Sequence, residues 1–118
     1  MTVIDRYFTL LDLAVGSEDG LAGLADLFSE NAALQLKGYD EIRGRENIKE
    51  FFRVFLGKNA VMKHVWKAEQ NGGVCRVPWA VSCIGKTGDV YAMEGVDQTV
   101  LDGDGKILSL KLRFGGEA

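Results

Sequence analysis

YAMEGVDQTVLDGDGKILSLKLRF, residues 91–114, decides the fold. It is two runs of period two joined by Asp102-Gly103-Asp104-Gly105, whose Gly and Asp residues supply hairpin geometry. In the first run Tyr91, Met93, Gly95, Asp97, Thr99 and Leu101 share one face, and Ala92, Glu94, Val96, Gln98 and Val100 share the other. In the second run Leu108, Leu110, Leu112 and Phe114 oppose Ser109, Lys111 and Arg113. Two earlier runs, 61–70 and 74–85, are set off by Asn71-Gly72-Gly73 and Gly85-Lys86-Thr87-Gly88 in the same way. A four-stranded antiparallel meander follows. In the 61–70 run Met62, His64, Trp66 and Ala68 oppose Lys63, Val65, Lys67 and Glu69, which turns His64 and Trp66 inward. The 74–85 run has two readings: Cys75, Val77, Trp79, Val81 and Cys83 form one apolar face, but Ala80 and Ile84 lie on the other. Pro78, lacking a ladder donor, suggests an edge or a bulge that switches faces part-way.

Upstream the period is helical. Ile4, Tyr7, Phe8, Leu11, Ala14 and Val15 form the buried stripe of a first helix, with Asp5, Arg6 and Asp12 off it. Ser17-Glu18-Asp19 offers caps and early negative charge for a second, whose apolar face is Leu21, Leu24, Ala25 and Phe28. Residues 32–36 make a short strand, and Lys37-Gly38-Tyr39-Asp40-Glu41 a polar loop. Gly44-Arg45-Glu46-Asn47 opens a third helix with an Ile48, Phe51, Phe52 and Phe55 stripe, closed by Gly57 as its C′ residue. Three helices must then cover one face of the sheet, an α+β architecture in a single domain, 1–118.

Composition narrows the function. The 118 residues are 47% hydrophobic and 26% charged, with a net charge of −3 and no basic cluster, so neither nucleic acid nor an anionic membrane is an expected partner. No stretch is long and apolar enough for a membrane helix, and the start lacks a signal-peptide layout, so the chain reads as cytoplasmic. Cys75 and Cys83 on one extended strand lie about 26 Å apart, beyond disulfide reach, and read as reduced core thiols. One histidine, two distant cysteines and no phosphate-binding loop or dinucleotide fingerprint lead us to expect no metal and no cofactor.

Asp97 is the residue with the sharpest question attached. A carboxylate on the apolar face of a buried strand is costly unless paired, hydrogen-bonded or protonated. It is either a structural aspartate satisfied by a neighbouring donor or a functional group. His64 is likewise a satisfied core histidine or a base, since imidazole titrates near neutrality. Trp66 and Trp79 read as cavity wall or subunit interface.

Helix, helix, short strand, helix and curved meander is an order that resembles the nuclear transport factor 2-like, or SnoaL-like, superfamily, which has a cystatin-like cone. Gly44-Arg45-Glu46-Asn47-Ile48-Lys49-Glu50-Phe51-Phe52, Leu27-Phe28-Ser29-Glu30-Asn31-Ala32 and Asp102-Gly103-Asp104-Gly105-Lys106-Ile107 carry the likeness. Arg6-Tyr7 and Val96-Asp97 are most similar to the steroid Δ-isomerase branch, in which a carboxylic acid is kept neutral to donate a hydrogen bond. The resemblance implies a cone-shaped mixed or antiparallel sheet with helices on its concave face, and Tyr7 and Asp97 as donors to an enolate-like oxygen. It implies a small, apolar, oxygen-bearing ligand and a homodimer formed through the outer sheet face, where Glu94, Gln98, Lys111 and Arg113 lie. Phe28, Leu36, Phe52, Phe55 and Met62 would line the ligand pocket, with Trp66, Met93, Leu110, Leu112 and Phe114. Where that branch places its general-base aspartate this chain has Leu36, which leaves His64 as the candidate base. The functions open to such a chain are cofactor-independent isomerisation, cyclisation or dehydration beside a carbonyl, non-catalytic binding of a small apolar ligand, or dimerisation with a filled cone.

Overall fold

Thr2 starts the first helix, α1 (Val3–Ala14), through a reciprocal cap. Its hydroxyl accepts from the Asp5 N–H at 3.2 Å, and the Asp5 carboxylate accepts from the Thr2 N–H at 3.2 Å. Ser17 caps α2 (Glu18–Ala25) by accepting from the Gly20 N–H at 3.0 Å. The structure, a computed structural model, describes residues 1–115. In it α2 stops at Ala25, and Phe28 begins a strand, β1 (Phe28–Leu36), instead of completing the helix stripe. Two contacts pull the chain into the sheet there. The Leu27 carbonyl accepts from the Ile107 N–H at 2.8 Å, and the Phe28 carbonyl takes both Nε and Nη2 of Arg45, at 2.9 and 2.7 Å.

After a two-residue β2 (Ile42–Arg43), which falls just past the expected polar loop, Gly44 adopts φ +95° and opens α3 (Arg45–Leu56). Gly57 is not a left-handed C′ residue. It caps the helix at φ −64°, donating to the Arg53 carbonyl at 3.1 Å. The remaining strands are β3 (Asn59–Trp66), β4 (Glu69–Asn71), β5 (Val74–Gly85), β6 (Val90–Leu101) and β7 (Ile107–Phe114). Gly72, Gly88 and Gly105 in the three separators have φ of +64°, +93° and +81°, the backbone that hairpin reading requires.

The seven strands form one open, curved mixed sheet in the order β2-β1-β7-β6-β5-β3, with β4 beside β5. Only β1 against β7 is parallel. α1 lies against β3 and α3 against β1, and α2 touches both helices. Between them sit Phe8, Leu24, Phe28, Leu34, Ile48, Phe52, Ile107 and Leu110, all essentially inaccessible to solvent.

Two further local expectations are corrected. β5 keeps one parity throughout, with Cys75, Val77, Trp79, Val81 and Cys83 all buried and continuous pairing to β6 from Cys75 to Ile84. Pro78 causes no bulge because it faces the gap between β3 and β4. Its carbonyl accepts from the Lys67 N–H at 3.1 Å, and no neighbour needs the donor that proline lacks. In the β6–β7 pairing the register shifts, Val100 facing Ser109 and Leu101 facing Ile107, so Leu108 of β7 is left over at 41% exposure and Ile107 turns inward.

Candidate functional site

Tyr7, on the buried stripe of α1, is 2% exposed. Its ring meets Phe8, Phe28 and Phe52 edge-on at centroid distances of 5.0, 6.1 and 6.1 Å. That packing fixes the phenol while its hydroxyl reaches the interior. Among the described residues the hydroxyl has no hydrogen-bond partner.

Asp97, at mid-strand in β6, lies between Val77 of β5 and Leu112 of β7 and is 1% exposed. Its partner is Trp79, whose indole N–H donates to Oδ1 at 2.8 Å. Trp79 stands opposite Gly95, two residues before Asp97 on the same face. A Cβ at Gly95 would come within 2.4 Å of the Trp79 ring and 2.4 Å of the Arg113 carbonyl. Glycine is therefore what lets the indole lie down along β6 and reach the carboxylate. The sequence held this signal as a Trp facing a Gly beside an inward Asp, but it becomes visible only once the β5–β6 register is known.

His64 faces inward from β3, with its side chain 5% exposed, and it has a partner the sequence reading left on the polar side of α1. Its Nδ1 lies 2.6 Å from Asp12 Oδ1, and its backbone N–H donates to Asp12 Oδ2 at 3.1 Å. One heptad earlier, Asp5 Oδ1 accepts from the Trp66 indole N–H at 2.9 Å. Residues seven apart share a helix face and residues two apart share a strand face, so Asp5 and Asp12 meet Trp66 and His64 as a set. Phe8 lies between them, stacked on Trp66 at 5.1 Å and 5.7 Å from the imidazole.

Burial sets the electrostatics. It pushes the Asp97 carboxyl up to about 7, against the opposing pull of the Trp79 donor. Burial, helped by the nearby Asp97, holds the Tyr7 phenol well above its ordinary 10. Burial also lowers His64 below 6.5, although the Asp12 hydrogen bond and charge work the other way. Burial thus moves the two groups in opposite directions, the carboxyl up and the imidazole down, each toward its neutral form. Near neutrality the interior can hold a neutral base and a neutral acid together.

Tyr7, His64 and Asp97 border one cavity of about 20 Å³, with Trp79, Phe8, Leu11 and Val81. Phe52, Phe55, Met62, Met93, Leu112 and Phe114 complete its wall. Phe28 and Leu110 lie in the core without reaching it, Trp66 stands behind Phe8, and Leu36 is half-buried in register with Leu112. The volume is room for one water, and half-buried Phe55 and Met93 with the more exposed Phe114 form its outer wall. On the opposite face of the sheet, Gln35, Lys37, Gly38, Arg76, Val96, Gln98, Lys111 and Arg113 line an open groove of about 390 Å³. Among the described residues no group of three or more His, Cys, Asp or Glu could hold a metal ion. No described helix is long and apolar enough to cross a membrane.

The model of the SnoaL-like domain matches residues 4–110. Among solved structures, an NTF2-like protein of unknown function from Exiguobacterium sp. 255-15 is 31% identical over 98% of this chain and 100% of that one, with a TM-score of 0.85. SalBIII, an epoxide hydrolase/cyclase-like enzyme in pyran ring formation in polyether salinomycin, is 22% identical over 96% of this chain and 88% of its own. Its TM-score is 0.76, a likeness of fold alone. No curated protein matches.

Proposed function

The chain belongs to the SnoaL-like family, and on that premise we propose that it is a small-molecule pocket protein performing cofactor-independent proton transfer beside a carbonyl. Isomerisation, cyclisation and dehydration are the reactions in that class. The observation behind this reading is that Tyr7, His64 and Asp97, drawn from α1, β3 and β6, border one cavity. Neutral His64, through Nε2, takes a proton from the carbon next to the carbonyl. The charge that develops on the carbonyl oxygen is met by the Tyr7 hydroxyl and by protonated Asp97, in a setting too dry to screen them. The proton is then returned to another atom of the same ligand. Arg6-Tyr7 and Val96-Asp97 favour the steroid Δ-isomerase branch, and Leu36 is the departure from it, because leucine cannot move a proton. His64 takes that duty in this reading. A ligand larger than water enters by displacing Phe55, Met93 and Phe114, of which Met93 is the most adaptable.

The small cavity favours a second reading, a dimerisation or interaction module with a filled cone, and the absence of a base at Leu36 favours a third, non-catalytic binding of a small apolar ligand. A homodimer through the outer sheet face, where the 390 Å³ groove lies, fits each reading. Titration with phenols and ketone proton exchange separate them. The first reading expects phenol binding that is lost in Asp97→Ala and Tyr7→Phe, and exchange of a bound ketone's α-protons in deuterated water that is lost in His64→Ala. Unchanged affinity in both donor variants, or exchange that survives His64→Ala, would sink it. A wild type that binds no phenol would support the filled cone, and phenol binding without ketone exchange would support non-catalytic binding.

A further inference from the structure

We infer that Asp12 is a positioning residue that holds the neutral His64 ring in its Nδ1–H tautomer and so turns the Nε2 lone pair into the cavity. This rests on His64 being the base proposed above. Two donors of one residue converge on one carboxylate: Nδ1 reaches Oδ1 at 2.6 Å and the backbone N–H reaches Oδ2 at 3.1 Å. A carboxylate accepts and does not donate, so the proton of the neutral ring belongs on Nδ1. The second contact orients the carboxylate independently of the ring. β3 is an edge of the sheet, and its His64 N–H, lacking a strand neighbour on that side, takes Asp12 instead. A further contact keeps helix and strand in register, since Asp5 holds Trp66 from the same face of α1.

The other ring nitrogen has no partner among the described residues, and the ring borders the cavity beside Trp79 at a centroid distance of 5.9 Å. Asp12 does not border the cavity, and its side chain is 27% exposed on the far side of the ring. It therefore acts on a ligand only through His64. The other titratable groups around the imidazole are Tyr7 from α1, Asp97 from β6 and, close to Asp12, Cys83 from β5. None of these has a hydrogen bond to the ring that could fix its tautomer.

The chain has a single histidine, so nitrogen NMR of protein labelled with 15N-histidine reads this ring and no other. In wild type above pH 7 the Nδ1–H form should exceed the Nε2–H form by at least about tenfold, as expected where a charge-assisted hydrogen bond opposes a free nitrogen. Asp12→Ala should reduce that preference to less than about threefold and move the imidazole titration to lower pH, because the carboxylate that favours the charged ring is gone. An Nε2–H ring in wild type, or an unchanged tautomer ratio in Asp12→Ala, would overturn the inference. The wild-type spectrum decides even if the variant does not fold. If the ring is Nδ1–H yet ketone exchange survives His64→Ala, the base assignment fails and the positioning geometry stands. If exchange needs His64 but the ring is Nε2–H, the reverse holds.

Discussion

Replacing Asp97 by asparagine should remove a loss of stability of ~2.5 kcal/mol that wild type suffers between pH 5 and pH 8. Asp97 titrates at about 7 in the folded chain against 3.8 for an ordinary aspartate. For an acid whose folded value is raised, the fold binds the extra proton. Its contribution to stability is complete below 3.8 and is lost as pH rises to about 7. The interval is about 3 pH units, each worth about 1.4 kcal/mol, so the full cost of ionising Asp97 in place is ~4 kcal/mol. Between pH 5 and pH 8 the same relation gives a loss of ~2.5 kcal/mol. His64 has the opposite sign, since its folded value is lowered. The stability it contributes is present above 6.5 and lost as pH falls through the folded value. Comparing wild type with Asp97→Asn at each pH cancels that contribution, as His64 is common to both. The asparagine side chain keeps an oxygen to accept from Trp79, and its buried amide costs the same at every pH, so the slope of the difference is diagnostic and its offset is not. Urea denaturation at pH 5, 6, 7 and 8 supplies the curve. A difference that stays flat to within ~0.5 kcal/mol over that range would refute both the buried, raised carboxyl and the acid role built on it.

Phenol affinity should fall about tenfold per pH unit well above 7, because only protonated Asp97 donates, and calorimetric titration at pH 6 to 9 would follow it. Trp79→Phe removes the donor that favours the Asp97 carboxylate, so the pH-dependent loss of stability should extend to higher pH than in wild type, measured by the same denaturation series. Gly95→Ala should cost ~3 kcal/mol or more by overpacking, because one of its two 2.4 Å contacts is to the Arg113 backbone and cannot yield, and indole fluorescence should change with it. Arg45→Ala should cost ~2 kcal/mol by freeing the Phe28 carbonyl where β1 begins, read from the urea midpoint.

The sheet was legible because its signals are local. Period-two runs and glycine turns need only neighbouring residues, and 74–85 matches β5 end to end. What misled was anything decided by a distant partner. Phe28 fits a helix stripe by spacing, yet Arg45 and Ile107 claim the chain for the sheet. Pro78 reads as a bulge until the β3–β4 gap opposite it is known. In the site, Tyr7, His64 and Asp97 could be singled out as inward groups able to titrate or donate. Asp12 and Trp79 could not, because each acquires meaning only from contacts spanning 52 and 18 residues of chain.

Those two partners also bear on why the fold keeps such groups inside. If Asp97 served only to satisfy the Trp79 indole, the oxygen of an asparagine would do so without the ~4 kcal/mol that ionisation costs above neutrality. If His64 served only to fill the wall, an apolar ring would pack against Phe8 and Trp79 without a carboxylate drawn across from α1. Each group is instead given one fixed hydrogen bond and left with its other polar atom unengaged among the described residues. Two groups that burial shifts in opposite directions, each toward its neutral form and each held by one end, border the same water-sized space. That arrangement is unfavourable for stability and suited to moving a proton between two atoms of one ligand.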